Sequence, residues 1–495
     1  MCAHFIEKFI TPESIAIYGA NNQGMGIGSI QLMNLIRYGF KGNLYPIHLK
    51  LERIMGLKAY ETIADVPEIP DLVIIALPAK IVPQIFQECG EKGVESIVLV
   101  SGGFRETENQ KTSGLRAQIK EVAENYGMRF IGPNCLGVYN GWIYPEDKNN
   151  VFNMNIWAEI PRGKFSIISQ SGTLSSHIWF DPKNLDLGLG KSFSVGNEAD
   201  INVIDVLKYL KDDPQTDVIG LYIEEIKEGR RFMELAKEIT PHKPIIGIYV
   251  GGTEASNRAL KSHTGSIAGN SRIYEGVFRE TGIIKTELVE EFLDLDRFAV
   301  NGIFPQGNRV GVLTNSGGPG VMIAHNAEQN GLVVPEFSGE LQEKLREMVI
   351  PTASTRNPLD TTFDLEPFNY YVKIPKILMK SGEIDILIIY GVFGLQDVLR
   401  EYLKDEGIRS TAEFKKMVEK NKPPLEEILI PPIQKLSQKT SIPVIYINPE
   451  NYNSKWSKKI RQKGALLFKL WDRPTRCLKK LVDYKKYKKN SFTKK

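Results

Sequence analysis

The chain has 495 residues, of which 42% are hydrophobic and 25% charged, a balance that excludes disordered and fibrous classes and leaves room for about three domains. The formal charge is +4, yet six lysines in the last twelve residues (Lys485, Lys486, Lys488, Lys489, Lys494 and Lys495) more than account for it, and without them it is −2. The folded body is therefore near neutral, which argues against nucleic acid as a partner, and the tail at 485–495 reads as a solvated, frayed terminus. Cys2, Cys89, Cys135 and Cys477 lie far apart with no C-x-x-C spacing, which excludes a zinc cluster or a disulfide framework and fits a reducing compartment. Residues 1–10 lack a signal pattern, and the longest apolar run, 386–395, is too short to span a bilayer. The expectation is a cytoplasmic protein with neither a membrane nor a bound metal.

Short apolar strands alternate with helical stretches from end to end, at 14–18, 72–76, 96–100, 218–222 and 384–390. Most are apolar on both faces, as parallel strands covered by helices must be, so the class is α/β. Polar, turn-rich segments at 141–151 and 301–308 divide the chain into three doubly wound units, 1–145, 146–300 and 301–484. A charged, Pro-containing insertion near 396–441 reads as a helical excursion at the surface.

In the first unit, the first strand runs into Gly19-Ala20-Asn21-Asn22-Gln23-Gly24-Met25-Gly26-Ile27-Gly28 and then a helix at 29–38. Glycines at such a turn let backbone approach a phosphate at a helix N-terminus. The second strand ends in His48-Leu49-Lys50, where an NAD site would want an acid. Lys50 suits a ribose phosphate, as on coenzyme A or NADP; its other reading is a solvent lysine after a strand. Leu77-Pro78-Ala79-Lys80 and Ser101-Gly102-Gly103-Phe104 fall at two further strand ends that open on the same crevice. Gly132-Pro133-Asn134-Cys135 closes the unit, with Cys135 either a buried small side chain or a wall of the channel for a ligand's thiol end.

In the second unit, Ser169-Gln170-Ser171-Gly172 follows a strand at 165–168 and opens a helix; in the third, Asn315-Ser316-Gly317-Gly318-Pro319-Gly320 does the same after 309–314. Each helix start offers unpaired N–H groups and about half a positive charge, so Ser171, Gly172, Asn315, Gly317 and Gly318 are candidate phosphate ligands. Ser262-His263-Thr264-Gly265-Ser266 reads as a loop whose small residues admit phosphoryl oxygens and whose imidazole can attack phosphorus. Glu224, in Glu224-Glu225 after a buried strand, sits at a sheet rim, with Glu225 as the alternate acid.

These motifs together, with Ser194-Val195-Gly196-Asn197 and Arg356-Asn357-Pro358-Leu359-Asp360, resemble the alpha subunit of ADP-forming acyl-CoA synthetases, relatives of succinyl-CoA ligase, from about residue 9 to 484. The resemblance implies a Rossmann-like CoA-binding domain, then two flavodoxin-like domains. It implies phosphohistidine chemistry at His263, oriented by Glu224, and CoA held by Gly19, Asn21, Asn22, Gln23, Gly26, Lys50, Pro78, Ser101, Gly102, Asn134 and Cys135. It also implies a small carboxylic acid and its acyl-CoA as substrates, with ADP or ATP and Mg2+ carried on an ATP-grasp beta subunit, since three α/β units leave no room here for that fold. Two departures stand out: where the family carries lysine and arginine before the histidine loop, this chain has Tyr249 and Gly252, and the family's Asn-Pro-Lys is His48-Leu49-Lys50. The loss of the two basic residues keeps open a non-catalytic CoA or acyl-CoA sensor of the same fold. An NADP-dependent dehydrogenase lacks any evident hydride-transfer pair.

Overall fold

The computed structural model describes residues 4–104, 114–180, 187–263, 270–362, 366–391, 402–405, 407, 411–420, 425–450 and 453–493, without the side chains at 261–263, 417–420, 425–427 and 455–456. The chain forms two compact units, Met1–Phe292 and Leu293–Lys495.

The first unit holds two sheets. One is wholly parallel, in the order Asn43–Ile47, Ser14–Tyr18, Leu72–Ile75, Ser96–Leu99, Arg129–Ile131. The three middle strands are buried along their full length, which is why they read as continuous apolar runs. The order reverses at Ser14–Tyr18, so the crevice for a ligand lies at the carboxyl ends of Ser14–Tyr18 and Leu72–Ile75. The second sheet runs Ile284–Thr286, Ile245–Tyr249, Val218–Ile223, Arg162–Ser169, Leu189–Ser194, then the antiparallel strands Gly137–Asn140 and Phe152–Asn153.

Gly137–Asn140 thus belongs to the second sheet, although it lies before the turn-rich segment that suggested a boundary at 145. The crossing is made early because Gly132, Asn134 and Gly137 all take positive φ and reverse the chain at the end of the first sheet. The two sheets form one unit rather than two because they share a core: Ile15, Ile17 and Leu32 cluster with Ile168, Phe193 and Leu221.

Below that core, Lys191 and Asp213 form an ion pair of 2.8 Å, with exposures of 1% and 6%. Gln215 Oε1 accepts a second Lys191 hydrogen at 2.8 Å, and the Thr216 hydroxyl donates to Asp213 at 2.5 Å. Burial pushes the Lys191 ammonium down, opposed by Asp213.

The second unit is a five-stranded parallel sheet ordered Leu359–Asp360, Val310–Thr314, Ile386–Tyr390, Val444–Ile447, Leu466–Phe468. It begins before residue 301, because Asp294 pairs with Arg473 at 2.8 Å and Arg297 donates to the Leu467 carbonyl at 2.6 Å. Two expectations change here. The helix Leu425–Thr440 is no surface excursion, since Ile430 and Ile433 are buried in the unit's core. The basic tail is not frayed through its length: Arg473–Thr493 is one helix, and Leu481, Val482 and Tyr484 are buried beside the lysines at 485–489. Among the described residues, no helix is long and apolar enough to cross a membrane.

Breaking the Lys191–Asp213 pair from one side leaves a charge stranded in the interior. Asp213→Ala should cost about 3–5 kcal/mol in denaturant unfolding; a loss below about 1 kcal/mol would show that water reaches the ammonium.

Candidate functional site

Gly19 leaves the first strand at φ +92, and a Cβ there would lie 2.2 Å from the Ala76 carbonyl oxygen, so only glycine lets the two loops close over the crevice. Gly28, at the start of the following helix, repeats the constraint from the other side, since a Cβ there would meet the Gly19 backbone at 2.9 Å. Gly26 precedes the helix Ile27–Arg37 in extended backbone with no side-chain cap, leaving its first N–H groups for an anion. Asn21 is braced on Ser29: its N–H donates to Oγ at 2.9 Å, and its Oδ1 accepts from Gln23 N at 2.8 Å. Asn22 is used internally, tying the loop to the short ribbon at 53–58 through Arg53 O (3.0 Å) and Met55 N (2.9 Å). Lys50 is exposed beyond the second strand, in a turn whose N–H donates to His48 Nδ1 at 3.1 Å.

The remaining CoA candidates gather beside this crevice. Ser101 Oγ accepts from Leu77 N at 3.1 Å, next to Pro78, and the Ser101 carbonyl accepts from Asn134 N at 3.0 Å. A Cβ on Gly102 would lie 3.6 Å from Asn134 Oδ1. Cys135 is drawn inward instead: its exposure is 3%, its thiol donates to Leu99 O at 3.3 Å, and burial pushes it up to about 12. Of its two readings, the buried small side chain fits these contacts.

At the rim of the second sheet, Ser171 caps the helix Gly172–His177 by accepting from Leu174 N at 3.3 Å. Gln170, 8% exposed, reaches across to the neighbouring strand end. Its Oε1 accepts from Glu224 N at 2.6 Å and Glu225 N at 3.0 Å, and its Nε2 donates to Glu225 O at 2.7 Å. Glu224 is 6% exposed and bonds Tyr222, whose phenol is pushed up by burial and by that carboxylate. Lys227 Nζ donates to Asn197 O at 3.0 Å and Glu198 O at 2.9 Å, and lies 3.5 Å from the Glu198 carboxylate. Burial pushes that carboxyl up against the pull of Lys227. Sequence reading gave Gln170, Glu198 and Lys227 no role, because the contacts that join them span up to 55 positions.

His263 is not in a loop: it is the last residue of the helix Glu254–His263. Its side chain and residues 264–269 lie outside the described residues, and so does any contact with Glu224. In the second unit, the helix Gly317–Gln329 starts at Ser316 with no side-chain cap, and Gly318 faces open space. Asn315 is 6% exposed. Asp360 Oδ2 lies 3.4 Å from where a Gly317 Cβ would be, so an anion at this helix start meets a carboxylate.

Comparison with known proteins bears on this arrangement. Residues 13–141 match the CoA binding domain, and residues 162–299 the Succinyl-CoA ligase like flavodoxin domain. The chain is 38% identical to the Acetate–CoA ligase [ADP-forming] II subunit alpha of Pyrococcus furiosus, over 77% of this chain and 81% of that protein. It belongs to the family of alpha subunits of ADP-forming acetate–CoA ligases. The subunit alpha of the Pyrococcus furiosus enzyme I is 36% identical over 80% of this chain and 87% of its own. Against the Acetate–CoA ligase [ADP-forming] of Methanocaldococcus jannaschii, at 39% identity, 73% of this chain matches but only 50% of that protein is spanned. The dinucleotide forming Acetyl-coenzyme A synthetase 1 of Ca. Korarchaeum cryptofilum, solved in complex with phosphate and ADP, superimposes with a TM-score of 0.78 at 28% identity, over 99% of this chain and 98% of that one.

Tyr249 and Gly252, which stand where the resemblance implies lysine and arginine, are each built into the local structure. Tyr249 ends its strand and stacks on Tyr274, ring centroids 3.6 Å apart, and the Tyr274 hydroxyl accepts from Ile226 N at 3.1 Å. An aromatic pair thus braces the turn that carries Glu224. Gly252 has φ +88, and a Cβ there would lie 2.7 Å from Ser271 Cβ. An arginine does not fit this backbone. Gly252→Arg should therefore lower stability by about 1–3 kcal/mol in thermal or denaturant unfolding; an unchanged midpoint would show that the 250–253 turn relaxes freely.

Proposed function

We propose that this chain is the alpha subunit of a nucleoside-diphosphate-forming acyl-CoA ligase, working in the cytoplasm with an ATP-grasp beta subunit. Together they interconvert acyl-CoA, ADP and phosphate with a free acid, ATP and CoA. The first sheet binds CoA in the crevice between Gly19–Gly26 and Ala76–Pro78, with the helix start after Gly26 facing the pyrophosphate and Lys50 the 3′-phosphate. Phosphate adds to the thioester carbonyl, and the C–S bond breaks to release CoA and an acyl phosphate. An imidazole nitrogen of His263 then attacks phosphorus, and the P–O bond to the carboxylate breaks. Glu224 on the other ring nitrogen holds the tautomer and stabilises the charged ring. The N–H groups after Ser171 receive the phosphoryl oxygens; Asn315, Gly317 and Gly318 serve a second such start. A β-phosphate oxygen of ADP on the partner subunit would then take the group as the P–N bond to His263 breaks, with Mg2+ there offsetting the phosphate charge. The observation that carries this reading is the buried carboxylate of Glu224 beside a Ser-capped helix start, on one rim of one sheet.

The Tyr249 and Gly252 departures favour one rival, a CoA or acyl-CoA sensor without turnover. Labelling separates the two. Radiolabelled acetyl phosphate, acetyl being the simplest acyl group, should phosphorylate the chain at His263 in a bond stable to alkali and lost in acid. His263→Ala should abolish the label, because no other side chain is proposed as phosphoryl acceptor. Stable labelling of that variant sinks the mechanism, and a wild type that binds CoA but takes no label supports the sensor. The chain alone should make no ATP from acetyl-CoA, ADP and phosphate.

Lys50 gives an independent check on the ligand. Lys50→Ala should weaken CoA binding by about 1–3 kcal/mol in calorimetry and leave dephospho-CoA nearly unaffected. Equal weakening of both would remove Lys50 from the 3′-phosphate site.

A further inference from the structure

The turn after the strand Val218–Ile223 has no helix to hold it, yet its first three N–H groups are all satisfied by side chains. Gln170 Oε1 takes those of Glu224 and Glu225, and the Tyr274 hydroxyl takes that of Ile226. Gln170 can do this because Ser169 pairs with Tyr222 in parallel register, so the next residue on each strand stands side by side. Its N–H donates to Tyr222 O at 3.2 Å, fixing the root of the side chain. The amide cannot be turned over: flipping it would set NH2 against two N–H groups and oxygen against the Glu225 carbonyl. Burial pushes the Glu198 carboxyl up, and the same amide works against that push. One neutral side chain therefore ties the Glu224 turn to the rim and favours the charged form of a second buried acid.

We infer that Gln170 is a positioning residue for phosphoryl transfer, clamping the Glu224 backbone so that its carboxylate meets the histidine in one orientation. The inference rests on the phosphohistidine reading above. Neutrality is part of the device, because an acid at this place would face Glu198, Glu224 and Glu225; among the described residues Lys227 and Arg116 bring positive charge to Glu198, and the Tyr222 and Tyr274 phenols lie nearby. Asparagine is one methylene short of spanning both strands.

Two variants test it in the full chain with acetyl phosphate as the probe. Gln170→Met keeps the volume and loses all the hydrogen bonds. It should slow His263 labelling about ten- to a hundredfold, as expected for a misplaced catalytic group. CoA affinity should stay unchanged, and with the beta subunit kcat should fall while KM for CoA holds. Amide exchange at Glu224 and Glu225 should accelerate. Gln170→Glu keeps an acceptor for both N–H groups, so exchange there should stay slow. Its added charge raises the proton affinity of neighbouring carboxylates, so the acidic limb of the labelling profile should move to higher pH, with most of the rate regained in alkali. Wild-type labelling by Gln170→Met overturns the inference, and so does a parallel loss of labelling, CoA binding and stability, which marks a merely structural residue. A Gln170→Glu profile unshifted from the wild type overturns the electrostatic half. A wild-type chain that takes no label overturns the phosphohistidine reading itself, which is distinct from a labelled wild type indifferent to Gln170.

Discussion

The carboxyl rims of the two sheets in the first unit are joined by backbone, and the candidate site depends on that seam. Asn197 N and Ala199 N donate to Pro133 O and Gly132 O at 2.9 Å each, and Ile201 N to Phe130 O at 3.2 Å. Gly196 permits the approach, since a Cβ there would lie 2.3 Å from Pro133 O. The seam fixes where Asn134 stands relative to Asn197, whose side chains meet at 3.4 Å. Lys227 holds the Asn197 and Glu198 carbonyls from the other side, and Gln170 clamps the Glu224 N–H. Hydrogen bonds therefore run from the loop beside the CoA crevice to the Asn197–Glu198 turn, and a separate clamp holds the acid proposed to orient the histidine. Backbone contacts of this kind hold geometry with little dependence on rotamer freedom, which suits the short transfer of an acyl phosphate proposed above.

A second device recurs in both units. Ser169 Oγ donates to Ser171 O at 2.7 Å and accepts from Ser171 N at 3.1 Å; Thr314 Oγ1 does the same with Ser316, at 2.7 and 3.0 Å. In each, a hydroxyl at the end of a buried strand folds the chain sharply into a helix start. The two starts differ in their nearest neighbour. Gly172 lies under Leu136, whereas Gly317 lies beside Asp360. Each start has a carboxylate on its rim, Glu224 at the first and Asp360 at the second, so at both the helix field acts against a negative charge.

The fold was legible because parallel strands announce themselves. Ser14–Tyr18 is buried at every position and was readable to the residue, and both glycine-rich helix starts fall where their motifs predict. What stayed hidden depends on contacts distant in sequence. Gln170 and Glu224 are 54 positions apart, and a glutamine in a Ser/Gly turn carries no mark of the backbone it will clamp. Ser262 and His263 read as loop because Ser262 and Thr264 favour turns, yet they close a helix that Glu254 and Ala255 upstream favour. The helix at 425–440 was misplaced to the surface because Pro431 and Pro432 and the flanking charges masked a short apolar face, Leu429, Ile430 and Ile433.

The replacement of two cations by Tyr249 and Gly252 shifts the source of positive potential rather than simply removing it. The tyrosine ring is spent on Tyr274, and Tyr274 on the Ile226 N–H, so the position now contributes rigidity to the turn that bears Glu224. Lys227 is engaged with Glu198 and two carbonyls, which leaves little of its charge for a ligand. The Arg116 guanidinium is likewise engaged, with the Glu198 carbonyl at 3.2 Å, and among the described residues the helix start after Ser171 adds a field that acts within one turn and does not reach far into solvent. Phosphoryl recognition here is therefore short-ranged and geometric. A site of that kind gains little from long-range steering and depends on the fixed positions of N–H groups, so the clamps on the turn at 224–226 matter more in this chain than they would beside a lysine and an arginine.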